Sequence, residues 1–224
     1  MTVLYIDTEH DRILDHPSLG AAHRARVEEV RNRLAGAAGQ PCLVERFAAV
    51  SPAWVAQTAP AALVIGGNNT DWADFDAATL AGLLVTIRAA PVPILGICAG
   101  HQLIGHAHDA AWGPLGPLQA GETDPDPEFG PGQRKARGFL PVEVDLRCPL
   151  FSDVAPTATF FQHHYWQLAE APAGFVIRAR SSWSAIQAIE RLDRPVFGVQ
   201  FHPERYDNVH PQGAFVLRNF FALA

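Results

Sequence analysis

Nowhere in the 224-residue chain does an apolar run approach the ~20 residues that a membrane-spanning helix needs. Basic clusters are missing too. The 17 Lys and Arg residues are dispersed among 23 acidic ones, and the formal net charge of −6 leaves no electrostatic footprint for nucleic acid or an anionic membrane. No cationic start precedes Met1-Thr2-Val3-Leu4-Tyr5-Ile6-Asp7, which reads as a first strand, not a secretory signal. Cysteine is scarce: Cys42, Cys98 and Cys148 are odd in number and show no paired spacing. A disulfide framework is excluded on that ground, and a reducing, cytoplasmic setting is expected. Also lacking are a P-loop or other ATP-binding signature, an internal repeat, and a linker that would divide the chain. What is present, 48% apolar residues over this length, suffices for the core of one domain spanning 1–224.

Short apolar runs alternate with helical patterns through the first half. Val3 to Asp7, Cys42 to Phe47, Ala61 to Ile65 and Val92 to Ile97 are expected strands. His16 to Ala38, Pro52 to Gln57 and Asp74 to Ala89 are expected helices, with Gly39 a stop and Pro52 a start. Continuous apolar strands separated by helices predict an α/β fold: a mostly parallel central sheet covered by helices on both faces. Ala110 to Gly138, rich in Gly, Pro, Asp and Glu, reads as a solvated surface loop. Beyond it, Leu140–Leu146, Ala158–Gln162, Gly174–Ala179, Ala185–Glu190 and Val196–Phe201 alternate like antiparallel additions to the sheet, and Gly213 to Leu223 closes the chain as a helix.

Two stretches carry chemistry. In Gly96-Ile97-Cys98-Ala99-Gly100-His101-Gln102 a strand meets a helix through small residues, the cysteine form of a nucleophile elbow. A strained turn pushes the side chain out, and the free N–H groups of the following helix face the sulfur, the setting in which thiolate is favoured over thiol. A buried cysteine at the end of a core strand is the competing reading. Cys42 and Cys148, in apolar or strand-like surroundings, are expected to be inert. In Gly198-Val199-Gln200-Phe201-His202-Pro203-Glu204 a strand delivers His202, Pro203 biases it toward extended backbone, and residue i+2 then points to the same side. Glu204 is thereby expected to reach the His202 ring, and the three residues together form a Cys–His–Glu triad.

These two blocks resemble the signature blocks of the class I (triad) glutamine amidotransferases, and the likeness extends from the first strand to the last helix. The resemblance implies a flavodoxin-like α/β fold and a reaction in which Cys98 attacks the side-chain amide of glutamine while His202, oriented by Glu204, shuttles protons. It implies oxyanion donors at Ala99 and in the Gly66-Gly67 loop, at Gly67, and a substrate-binding role for Gln102. It also implies that the block Gln162-His163-His164-Tyr165-Trp166 grips the glutamine backbone, with His163, His164 and Tyr165 as substrate residues; a strand end that merely packs is the alternative. No cofactor or metal is implied. His101, His106 and His108 spread around a helix axis without an acidic or Cys ligand at zinc-like spacing, and are expected to be solvated.

The chain departs from the family pattern at Asn68-Asn69-Thr70, where Pro usually follows the two glycines. It departs again at Tyr165, which replaces a small Gly, and at Arg137, which precedes Gly138 in place of Glu or an aromatic. With no synthetase in the chain, the expected function is a glutaminase subunit that passes ammonia to a synthetase on a separate polypeptide. A stand-alone γ-glutamyl hydrolase and a non-catalytic relative are the alternatives.

Overall fold

The computed structural model describes residues 2–224. In chain order its elements are β1 (Val3–Asp7), α1 (Asp11–Leu14), α2 (Leu19–Ala38), β2 (Cys42–Arg46), α3 (Pro52–Thr58), β3 (Ala62–Ile65), α4 (Ala77–Ala89), β4 (Ile94–Ile97), α5 (Ala99–Ala107), β5 (Trp112–Pro114), β6 (Ala136–Val144), β7 (Thr157–His164), β8 (Trp166–Leu168), β9 (Phe175–Arg180), β10 (Ala188–Arg191), β11 (Val196–Val199) and α6 (Gln212–Phe221). Nine strands form one sheet in the order β2-β1-β3-β4-β11-β10-β9-β6-β7. Strands β2 to β11 of that order are mutually parallel, and the remaining four add to the β11 edge in antiparallel fashion.

Every residue of β1, β3, β4 and β11 is buried; β1, β3 and β4 accordingly read as unbroken apolar runs, while β11, expected as an antiparallel addition, instead pairs parallel to β4 inside the sheet. Alternate side chains supply two cores. Val3, Tyr5, Val64 and Leu95 face Leu34 of α2 and Leu217 and Phe220 of α6. Leu4, Ile6, Leu63 and Ile65 face Val55 of α3, Leu83 and Ile87 of α4, and Leu103 and Ile104 of α5. Each such side chain stabilises the fold by roughly 1.5–3 kcal/mol.

Helix ends follow local chemistry. Ser51 accepts from the Trp54 N–H at the start of α3, and Gly39 closes α2 in the left-handed region at φ 61°. α4 begins later than the sequence suggests because Asp76, not Asp74, caps it by accepting the Ala78 N–H, while Trp72–Asp74 forms a separate 3-10 turn. The region 110–138 is not wholly a surface excursion. It contains β5, which pairs with the short strand β8 beyond Tyr165. Among the described residues, no helix is long and apolar enough to cross a membrane.

Candidate active site

The C-terminal ends of β3, β4 and β11 bring Gly66-Gly67, Cys98 and Gln200-Phe201-His202 to one edge of the sheet, where open α/β sheets hold their sites. Cys98 links β4 directly to α5 at φ 53° and ψ −104°. A non-glycine residue there stores on the order of 1–3 kcal/mol of strain. The flanking glycines permit the turn. A β-carbon on Gly96 would overlap the Gly100 carbonyl, and one on Gly100 would overlap the Ile65 carbonyl.

His202 follows β11 by three residues and is held by its N–H, which donates to the Phe161 carbonyl at 2.8 Å. Its Nδ1 lies 2.7 Å from Glu204 Oε1. The reach is made through a 3-10 turn, Pro203–Arg205, instead of the extended chain expected from the sequence, because the fixed φ of Pro203 also suits the first position of a helical turn. Burial acts to lower the His202 pKa, but the Glu204 carboxylate and Cys98 outweigh it and raise it above the ordinary histidine value. Nε2 is buried and makes no hydrogen bond with the described residues.

Gly67 sits against both side chains: a β-carbon there would lie 3.1 Å from His202 Cε1 and 3.3 Å from Cys98 Cβ. Among the described residues the Gly67 N–H meets no backbone acceptor, and the Ala99 N–H, at the first position of α5, has none within its helix. Cys98 Sγ donates to the His163 carbonyl at 3.7 Å and accepts from Gln200 Nε2 at 3.7 Å. Gln200 lies inside the second motif, yet nothing in the pattern marks it as a neighbour of the sulfur. The other thiols are different. Burial pushes Cys42 up to about 11 and Cys148 up to about 12.

A cavity of about 20 Å³, little more than a water's room, opens beside Cys98 and is lined by Asn68, Gln102, His163, His164, Tyr165 and Phe129, among others. The Gln102 amide is engaged by protein: Oε1 accepts from Trp72 Nε1 at 2.8 Å, and Nε2 donates to the Trp166 carbonyl at 2.8 Å and to Gln200 Oε1 at 3.1 Å. The Tyr165 hydroxyl donates to Asp71 at 2.6 Å, and its carbonyl accepts the Leu115 N–H at 2.7 Å. Phe129 reaches in from the loop before β6, with ring centroids 4.4 Å from His163 and 4.8 Å from Tyr165. Sequence reasoning missed Phe129 because a lone aromatic in a Gly/Pro-rich segment carries no local signal.

Of the three histidines expected to be solvated, His101 is fully buried, contrary to expectation, while His106 and His108 are half-buried. α5 is enclosed along most of its length, so His101 is fully buried against Gly198, His106 stacks on Trp112 and His108 Nδ1 bonds the Ile104 carbonyl. Burial lowers the pKa of His101 to about 3, of His163 to about 3 and of His164 to about 4; nearby cationic groups reinforce the effect on His163. Unfolded histidines titrate near 6.5. Between pH 6.5 and about 4 the unfolded chain therefore binds up to three more protons, and stability falls with pH at up to about 4 kcal/mol per unit. His202 has the opposite sign: its contribution is complete below pH 6.5 and is lost as pH rises through its raised value. Urea unfolding should accordingly show its highest midpoint near pH 6.5 and a much lower one at pH 5. A midpoint unchanged between those two values would contradict the neutral burial of these rings.

The glutamine amidotransferase class-I family model matches residues 43–224, and the chain belongs to that family. A subunit of the glutamine-hydrolyzing GMP synthase of Pyrococcus furiosus is 30% identical over 129 residues, 58% of each chain. The glutamine-hydrolyzing GMP synthase of Kluyveromyces lactis is 35% identical over 130 residues, 58% of this chain but 21% of that longer protein. The match thus spans less than two thirds of these relatives. Among solved structures, a Thermotoga maritima glutamine amidotransferase aligns with a TM-score of 0.59 at 17% identity, covering 91% of this chain and 76% of that one. At that identity the likeness speaks for the fold.

Proposed function

We propose that the chain hydrolyses glutamine to glutamate and ammonia and passes the ammonia to a synthetase on a separate polypeptide. The observation that carries this is the meeting of an elbow cysteine with a His202–Glu204 pair bonded at 2.7 Å. In this reading Cys98 sulfur adds to the amide carbon while His202 takes the thiol proton. The oxygen, now an anion, accepts from the Gly67 and Ala99 N–H groups. His202 returns its proton to the nitrogen as the C–N bond breaks, and ammonia leaves. Water then adds to the γ-glutamyl thioester with His202 as base, the C–S bond breaks, and glutamate departs. That the Pyrococcus furiosus relative is one subunit of its GMP synthase supports a partner on another chain.

The narrow cavity favours free glutamine over a bulkier γ-glutamyl conjugate. Phe129, packed on His163 and Tyr165, narrows that cavity. The test compares ammonia release from glutamine with chromophore release from γ-glutamyl-p-nitroanilide, in the wild type and in Phe129→Ala. Wild type should favour glutamine and respond to an added synthetase, and Phe129→Ala should shift the kcat/KM ratio toward the anilide by about tenfold. Rapid turnover of the anilide with no ammonia from glutamine would replace this reading by that of a γ-glutamyl hydrolase.

A further inference from the structure

Glu9 lies fully buried just beyond the end of β1, and among the described residues no Lys or Arg pairs with its carboxylate. His23 is the nearest ionisable partner, with Nδ1 4.0 Å from Oε2. A buried carboxylate is costly unless donors surround it, and here four do. The Asn69 N–H and Nδ2 donate to Oε2 at 2.8 and 2.9 Å, while the Thr70 hydroxyl and the His10 N–H donate to Oε1 at 2.9 and 3.0 Å. Three of the four come from residues 69 and 70, immediately after Gly67-Asn68.

The other end of that segment is fixed separately. The Gly66 carbonyl accepts from the Thr8 hydroxyl at 3.0 Å and from the Gly100 N–H at 3.1 Å, and the Gly66 N–H donates to Ile6. Gly67 and Asn68 are therefore clamped from both sides, with the Gly67 α-carbon against Cys98 and His202. Where the family pattern has a proline after the glycines, this chain has three unrestricted residues and a buried carboxylate that restrains them. Glu9 does not duplicate the anchoring of β1. That is done by Asp7, bonded to His23 at 3.0 Å and to Arg46 at 2.9 Å.

We propose that Glu9 is a positioning residue which, through Asn69 and Thr70, aims the Gly67 N–H at the oxyanion of the tetrahedral intermediate. The proposal rests on the reading of Cys98 and Gly67 given above. Two reactions of the same sulfur separate this role from a merely structural one. Glutamine hydrolysis develops an oxyanion, whereas alkylation by iodoacetamide displaces iodide from carbon and needs no oxyanion donor.

In the full-length chain, Glu9→Gln keeps the volume but turns one acceptor oxygen into an NH2 facing other donors. Its kcat for glutamine should fall about 10–100-fold with KM changed by less than about threefold, while iodoacetamide labels Cys98 at the wild-type rate. Thr70→Val, which removes one donor, should give the same pattern more weakly, and it carries the test if Glu9→Gln does not fold. An unchanged kcat in either folded variant overturns the proposal, as does a parallel loss of kcat and alkylation rate. If the wild type is alkylated but releases no ammonia from glutamine, the functional reading fails and takes this role with it.

Discussion

Cys98→Ala is expected to lose glutamine hydrolysis by several orders of magnitude, because the covalent step disappears with the sulfur. Cys98→Gly should be equally inactive yet more stable than the alanine variant. Glycine in place of alanine ordinarily destabilises by about 0.5–1 kcal/mol. At φ 53° and ψ −104°, however, alanine retains the strain of the turn and glycine does not. Relief on the order of 1–3 kcal/mol would raise the melting temperature by a few degrees in a domain of this size. Thermal melts of the two variants side by side check the point. A glycine variant that melts below the alanine variant would contradict a strained elbow, and an active Cys98→Ala beside an inactive Cys42→Ala would move the nucleophile elsewhere.

Gly100→Ala should be strongly disruptive although it adds a single methyl. The new β-carbon would overlap the Ile65 carbonyl oxygen and lie 2.9 Å from its carbon and 3.0 Å from its Cβ. Ile65 is fully buried between neighbouring strands, so it cannot recede, and α5 must lift from the sheet instead. Overpacking of a backbone contact of this kind costs about 3 kcal/mol or more. Gly36→Ala is the control. It lies within α2 with nothing within 4 Å of the added carbon and should stabilise by up to about 1 kcal/mol. Urea midpoints for the pair should move in opposite directions; a Gly100→Ala midpoint at the wild-type value would mean that the helix does not press on β3 as described.

How far the sequence could be read depended on whether an interaction was local. β1, β3 and β4 were legible because strands covered on both faces have no polar alternation to confuse them, whereas β11, expected as an antiparallel addition, takes its direction from long-range pairing and lies parallel to β4. The turn at Cys98 was legible because its glycines stand at fixed offsets, and each proves to be a place where helix and strand touch. Pairing in the antiparallel half was not. β6 lies between β7 and β9, a choice made by long-range packing and not by any short motif. Nor were the tertiary partners of polar residues visible. Glu9 fell between the first expected strand and the first expected helix, and three of its four donors come from about 60 residues away. His101 looked like one of several exposed histidines until the burial of α5 and the bare α-carbon of Gly198 supplied its niche. His202 and Glu204 were anticipated as partners, but the backbone joins them by a turn and not by a strand, since proline permits both.

The central claim is that Cys98 carries the γ-glutamyl group of glutamine. Acid quenching of the protein during turnover, followed by mass analysis of its cysteine peptides, tests it directly. A γ-glutamyl adduct is expected on the peptide containing Cys98 and none on those of Cys42 or Cys148, whose thiols are held protonated by burial. Consumption of glutamine with no adduct on Cys98, or with the adduct on either of the other two, would contradict it.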